Sequence, residues 1–202
     1  FQEYLGRNPD DIEVLRKYAK ARISVRPLEG PNIMQAIAGY RRILQLDPLD
    51  QTAYEELIKL YSFIGNFDEM AYIARNRIDA DPNDWKATLK LAEALYGQNK
   101  KEEAQETLDK LIKDIDALRP VKHIEEYVRA CGLMSQIIYN DVTIEDKSEA
   151  LIWLNQAVKY AEDTPESVEA LASRAQYYRL LSQTPGQSAE DVQKNMDLAR
   201  ID

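Results

Sequence analysis

A catalytic reading of this chain starts from 35 acidic residues, one His and one Cys. General acid–base chemistry needs carboxylates held together in a pocket and oriented by a second shell of groups. The acids here recur instead in runs such as Glu102-Glu103 and Glu125-Glu126, at positions suited to helix surfaces and caps, so a solvated face is expected. Cys131 falls at core spacing on its helix, where a thiol packs as a small hydrophobe rather than reacting. His123 follows Arg119-Pro120-Val121-Lys122 at an expected helix start and lacks a Cys or His neighbour, which points to a surface role. Glycine-rich phosphate loops are absent, and the acids of residues 141–148 lack the glycine and the ligand spacing of a calcium loop. No catalytic residue, cofactor site or metal site is expected. Twelve tyrosines could stack on bases or sugars, but Tyr18, Tyr40, Tyr54 and Tyr61 have core spacing, leaving Tyr96, Tyr177 and Tyr178 less constrained. Trp85 follows a capping acid and is expected to pack on the preceding helix end, while Trp153 shares a face with Ala150, Leu154 and Ala157.

Composition says what must position these residues. The 202 residues include only 7 Gly and 8 Pro, too few turn formers for a many-stranded sandwich or barrel. Strong helix formers dominate instead. A net charge of −9 makes duplex nucleic acid or an anionic membrane surface an unexpected partner. One Cys excludes an internal disulfide framework, and no apolar run reaches the length of a membrane span.

The helices are punctuated periodically. Asn8-Pro9, Asp47-Pro48 and Asp81-Pro82 are each followed by a further acid, Asp11, Asp50 and Asp84. Pro48 and Pro82 stand 34 residues apart, and another 34 reaches Asp116, expected to mark the next step without a proline. Apolar residues keep register with these marks: Leu57, Ile58 and Tyr61 after the second, Leu91, Ala92 and Leu95 after the third, and Tyr18 and Ala19 with Arg22 after the first. Ahead of the marks stand Ala36, Tyr40 and Ile43, then Ala104, Leu108 and Leu111. Spacings of three and four place each set on one helical face. Each period therefore predicts two amphipathic helices: the proline stops one and the following Asp caps the next. Leu57, Leu91, Ala92, Ala104 and Leu108 are predicted to be buried.

This period, with Tyr54, Leu57, Tyr61, the Gly65-Asn66-Phe67 turn and Pro82, resembles the tetratricopeptide repeat. Residues 51–84 match best, though Met70 and Arg77 stand where small residues are expected. The domain expectation is a single helical repeat domain over 1–202. It comprises a partial repeat at 1–11, then repeats near 12–50, 51–84, 85–118, 119–163 and 164–202. In the looser second half, Ile124, Tyr127, Val128, Cys131, Met134, Ile137 and Ile138 predict one long helix. Thr164-Pro165-Glu166 predicts a helix start with Thr as cap, and Val192, Met196 and Ala199 a final packed face. Because the chain opens and closes inside helices, it is expected to be a piece of a longer array.

The resemblance implies an all-α fold, a right-handed superhelix of antiparallel helix pairs, whose first helices line a concave groove. It implies a non-enzymatic scaffold that binds a peptide or partner protein there. A docking segment of a larger enzyme and a structural self-association module are the alternatives. Some members of the family clamp a C-terminal carboxylate, and the matching positions are Arg16 and Lys20, then Glu56, then Lys86 and Lys90. With Lys59 and Tyr96 these form the candidate partner-binding groove, suited to an acidic C-terminus. Glu56 departs from the family's neutral amide, and Lys20 also replaces an amide. The competing reading of the same residues is an internally paired, solvated charged face.

Overall fold

A computed structural model describes residues 1–118, 123–184 and 187–202, with the side chains of Gln2 and Leu118 left aside. The run 119–122, expected to lead into the helix after His123, lies outside the described residues. Among the described residues there are eleven helices and no strand. They fall into two compact units, Phe1–Asn99 and Lys100–Asp202, a boundary that lies inside the repeat expected over 85–118.

In the first unit α1 (Gln2–Arg7) is a fragment. It is followed by α2 (Ile12–Ser24), α3 (Gly30–Leu46), α4 (Gln51–Phe63), α5 (Phe67–Ala80) and α6 (Trp85–Gly97). From α2 onward each helix packs on the next. The acids after the prolines do what their spacing predicts. Asp11, Asp50 and Asp84 each accept a backbone N–H three residues on, from Val14, Ala53 and Ala87, at 3.0, 2.8 and 2.9 Å. Each satisfies one donor that a helix start leaves without a partner. Asp47 and Asp81 close the preceding turns by accepting from the N–H groups of Leu49 and Asn83. Gly65 turns the chain between α4 and α5 at φ 69°, a left-handed backbone that suits glycine. A Cβ on Gly39 would stand 3.1 Å from that of Ala19, so this glycine sets how closely α3 lies on α2.

The core of this unit comes from the expected positions, with two adjustments. Tyr40, Tyr54, Leu57, Ile58 and Tyr61 are buried, as is Met70, which an unbranched side chain lets fit a slot expected to be small. Tyr18 is only half-buried, with the Arg22 guanidinium 5.0 Å above its ring. Leu91 is likewise half-buried against this core, whereas Leu57, its counterpart one period earlier, is fully enclosed. On α6 the expected Ala92 and Leu95 are buried, and Leu89 is buried where Leu91 is not.

The second unit holds α7 (Lys101–Leu118), α8 (Ile124–Asn140), α9 (Ser148–Tyr160), α10 (Ser167–Ser182) and α11 (Ala189–Ile201). Successive helices pack together, and α10 also touches α8. Ala104, Leu108 and Leu111 are fully buried. Asp116 is not a step between helices: without a proline, α7 continues through it. Its carboxylate instead accepts from the Tyr127 hydroxyl at 3.5 Å. Tyr127 stacks on Tyr160 with ring centroids 3.8 Å apart.

The chain uses a different step after α8. Asp141 accepts from the N–H and hydroxyl of Thr143, at 2.9 and 2.7 Å, and the Lys147 ammonium donates to the Ile138 and Asp141 carbonyls. Thr164 does not cap α10, which begins at Ser167; its hydroxyl donates back to the Ala161 carbonyl. On α11 the buried residue is Asn195, with the expected Val192 and Ala199 half-buried beside it, while Met196, expected on this face, is 40% exposed. Glu126 also departs from the expected solvated face: it is buried, with His123 Nδ1 3.7 Å from its carboxylate.

Two stability predictions follow from the caps and the core. Leu57→Ala should cost about 2–5 kcal/mol and Leu91→Ala distinctly less, as measured by chemical denaturation. Asp50→Ala should cost about 1–2 kcal/mol through the cap alone. The Arg16 guanidinium beside Asp50 holds its carboxyl below the usual carboxylate range. A lowered native value stabilises the fold above the unfolded value and loses that contribution as pH falls through the native one. The gap between wild type and Asp50→Ala should therefore be full at neutral pH and shrink below about pH 4.

Candidate functional site

The residues expected to form a carboxylate clamp lie on the first helices of the first unit. Arg16 and Lys20 are on α2, Glu56 and Lys59 on α4, and Lys86, Lys90 and Tyr96 on α6. Arg16 is engaged by Asp50, through Nη1 at 3.0 Å and Nη2 at 2.5 Å. That two-point contact raises the guanidinium's pKa further and fixes Arg16 as a brace on the cap of α4. Glu56 pairs with Lys59 at 2.7 Å, which raises the lysine's pKa. Lys90 pairs with Glu93, also at 2.7 Å. Lys20 and Lys86 are exposed and make no ion pair among the described residues, and Tyr96 is half-buried. Among the described residues no ion pair joins clamp positions on different helices; three of the cations are satisfied by carboxylates close at hand.

A recess lies elsewhere. In the second unit a groove of about 590 Å³ runs between α8 and α10, the first helices of two successive pairs, with Leu154 of α9 at its base. Small residues open it: Gly132 and Ser135 on α8 face Ala172 and Ser173 on α10. A Cβ on Gly132 would lie 3.9 Å from Ser173 Oγ, an ordinary contact, so the two helices are close without being jammed. Exposed amides line it, Gln136 on one wall and Gln176 on the other. At one end Tyr139 meets Tyr177 edge to face, with centroids 5.8 Å apart, and the Tyr177 hydroxyl is anchored on the Lys147 carbonyl at 3.1 Å. The acid of the lining, Glu169, lies 3.8 Å from Arg129, which also meets Glu125. The groove therefore offers neutral hydrogen-bonding groups and an aromatic end.

Sequence reasoning placed Tyr177 among the less constrained tyrosines but did not find this groove. A signal was present: Gly132, Ser135 and Gln136, and then Ala172, Ser173 and Gln176, show small and amide residues at three-and-four spacing. The apolar stripe of Cys131, Met134 and Ile138 on α8 is the stronger periodic signal and masks it.

Cys131 confirms its core placement. It is fully buried, and burial, helped by the Asp116 charge, pushes its thiol up to about 12. Among the described residues no group of three or more His, Cys, Asp or Glu side chains could hold a metal ion. No helix among them is long and apolar enough to cross a membrane.

No family model and no curated protein matches the chain. Solved structures do. The chain is similar to MamA, at 16% identity and a TM-score of 0.60 over 93% of this chain and 89% of that one. It is also similar to YrrB, described as a TPR protein with an unusual peptide-binding site, at 17% identity and a TM-score of 0.55 over 98% and 91%. A third likeness is to a chain of the Naa15/Naa10 assembly bound to HypK, at 20% identity and 0.57 over 99% of this chain and 30% of that one. These likenesses show the fold: an all-α chain built of tetratricopeptide-like helix pairs.

The burial of Cys131 yields a check on the second unit. A thiol reagent such as Ellman's should leave Cys131 unmodified at pH 8 in the native protein and react within minutes once it is unfolded in guanidinium. Rapid native labelling would mean that the α8 face is not packed as described.

Proposed function

We propose that this chain is a non-enzymatic interaction scaffold, and that the groove between α8 and α10 receives an extended peptide segment of a protein partner. The observation that carries the reading is the lining itself. Gln136 and Gln176 carry amide donors and acceptors on the two walls of a space of about 590 Å³, the Gln176 oxygen also meeting Arg179 Nη1 at 3.5 Å, and an extended backbone needs both kinds of group. The absence of uncompensated charge in that lining favours a segment read through its backbone rather than through ion pairs. Two of the similar folds support the class: YrrB is described with a peptide-binding site, and the Naa15 assembly is a complex of proteins.

A second reading concerns the first unit. Lys20 and Lys86 make no ion pair among the described residues, and they would meet an acidic C-terminus of a partner. Arg16, Glu56, Lys59 and Lys90 contribute less to it, because each already has a partner of opposite charge.

Selection from a random peptide library against the full chain tests both. Peptides that use the groove should lose about tenfold or more in affinity on Gln136→Ala, Gln176→Ala double substitution, with unchanged circular dichroism. Peptides that use Lys20 and Lys86 should bind more weakly when amidated, as salt rises, or on Lys86→Glu substitution. Binders indifferent to both sets of changes would overturn both placements.

A further inference from the structure

The α8/α10 groove has an electrical direction. Arg129 meets Glu169, Gly132 approaches Ser173 and Tyr139 meets Tyr177, so the two helices run the same way and their first turns form one mouth of the groove. Glu125 and Glu169 stand in those first turns, each about half exposed, and Glu166 is the N-cap of α10. Arg129 serves two of these carboxylates, at 3.3 Å to Glu125 and at 3.8 Å to Glu169, the second longer than a hydrogen bond. Each helix start brings about half a positive charge and Arg129 one more, so the three carboxylates leave this mouth negative among the described residues. The acid of the lining is compensated by Arg129, and the excess lies in Glu125 and Glu166 beside it.

The surroundings have the same sign. Residues 100–202 carry 13 Lys or Arg against 20 Asp or Glu, whereas residues 1–99 carry 13 against 15. Seven of the chain's nine net negative charges thus belong to the second unit. The other end of the groove differs. There the Lys147 ammonium caps the end of α8, Arg179 stands beside Gln176, and Leu180 joins the tyrosines in the lining.

We propose that the groove takes a protein segment with a lysine or arginine at the Glu169 mouth and an aromatic or large apolar residue at the Tyr139/Tyr177 end. This rests on the reading of the groove as a peptide site and adds the charge and polarity of its occupant. Eight residues of α10 separate Glu169 from Tyr177, about 12 Å at about 1.5 Å per residue, which about four residues of extended chain span. The two anchors of the segment therefore stand about four residues apart. A basic side chain gains from the excess charge of the mouth while Glu125 and Glu169 keep Arg129, and the field of the acidic unit speeds its encounter. Amide walls read the backbone, and the two ends select the side chains.

The test uses peptides selected from a random library against the full chain and kept only where the Gln136→Ala, Gln176→Ala variant loses them. Such peptides should carry a Lys or Arg about four residues from an aromatic or large apolar residue. Replacing that basic residue by Glu should weaken binding about tenfold at low salt, chiefly through slower association, and by less as salt rises. The Glu125→Gln, Glu169→Gln double substitution should narrow the gap to about threefold or less. Glu169→Lys should reverse the preference, the Glu-bearing peptide becoming the tighter one, with unchanged circular dichroism. Selected peptides without the basic residue, an affinity indifferent to its replacement, or a preference untouched by the glutamate substitutions would each overturn the proposal and leave the groove standing. Failure to find any peptide that needs the two glutamines would overturn the groove itself, and the proposal with it.

Discussion

The starts of α2, α4 and α6 leave N–H groups with no carbonyl to meet, and Asp11, Asp50 and Asp84, each two residues after a proline, satisfy one of them apiece. The same carboxylates also serve as anchors. Asp50 takes the guanidinium of Arg16, 34 residues earlier, while it caps α4. Asp84 takes that of Arg77 while it caps α6. Asp11, at the first such start, takes only the Tyr4 hydroxyl from the fragment before it. A carboxylate that accepts from backbone and guanidinium together is held more firmly than a surface ion pair, because its partners are already ordered by the helices. The start of a helix thus becomes tied to a neighbour, as expected where stability lies in nearest-neighbour contacts.

Much of this was legible in the sequence because proline and aspartate act locally. A proline cannot continue a helix whatever surrounds it, and an aspartate three residues before a free N–H can cap it without tertiary help. The reading failed where a mark was inferred from period alone. Asp116 has the position of a step but not the proline, so α7 runs through it. Thr164 precedes a proline, yet its hydroxyl finds the Ala161 carbonyl first, and the cap is spent on the turn. On α11, Asn195 and Met196 are adjacent, and hydrophobicity alone chose the wrong one. The candidate site was less legible still. Ion pairing depends on rotamers, and a groove depends on the side of a helix that the core leaves over.

The electrostatics explain why the two candidate faces differ. In the first unit, three of the five candidate cations on the first helices are quenched by carboxylates one turn away or at the next cap, as with Lys90–Glu93 and Arg16–Asp50. Such pairing, weak on an exposed face and firmer at a cap, removes the charge that a clamp would need. In the second unit the α8/α10 groove has little charge to quench. Amides and hydroxyls carry directional hydrogen bonds that salt does not screen, so recognition there is compatible with a strongly acidic chain.

Met70 and Arg77 show two ways of placing a large residue in a slot shaped for a small one. Met70 is apolar and flexible, so it is enclosed almost completely and becomes core. Arg77 cannot do this, because a guanidinium has five N–H groups and each needs an acceptor when water is excluded. The neighbouring cap supplies one acceptor and Gln51 another, and among the described residues Nη1 has none. A cation in that slot therefore trades packing for a residual demand at Nη1. Such a demand has a physical cost unless something outside the fold meets it. This separates the two departures: the methionine completes the repeat, while the arginine leaves it open at one place.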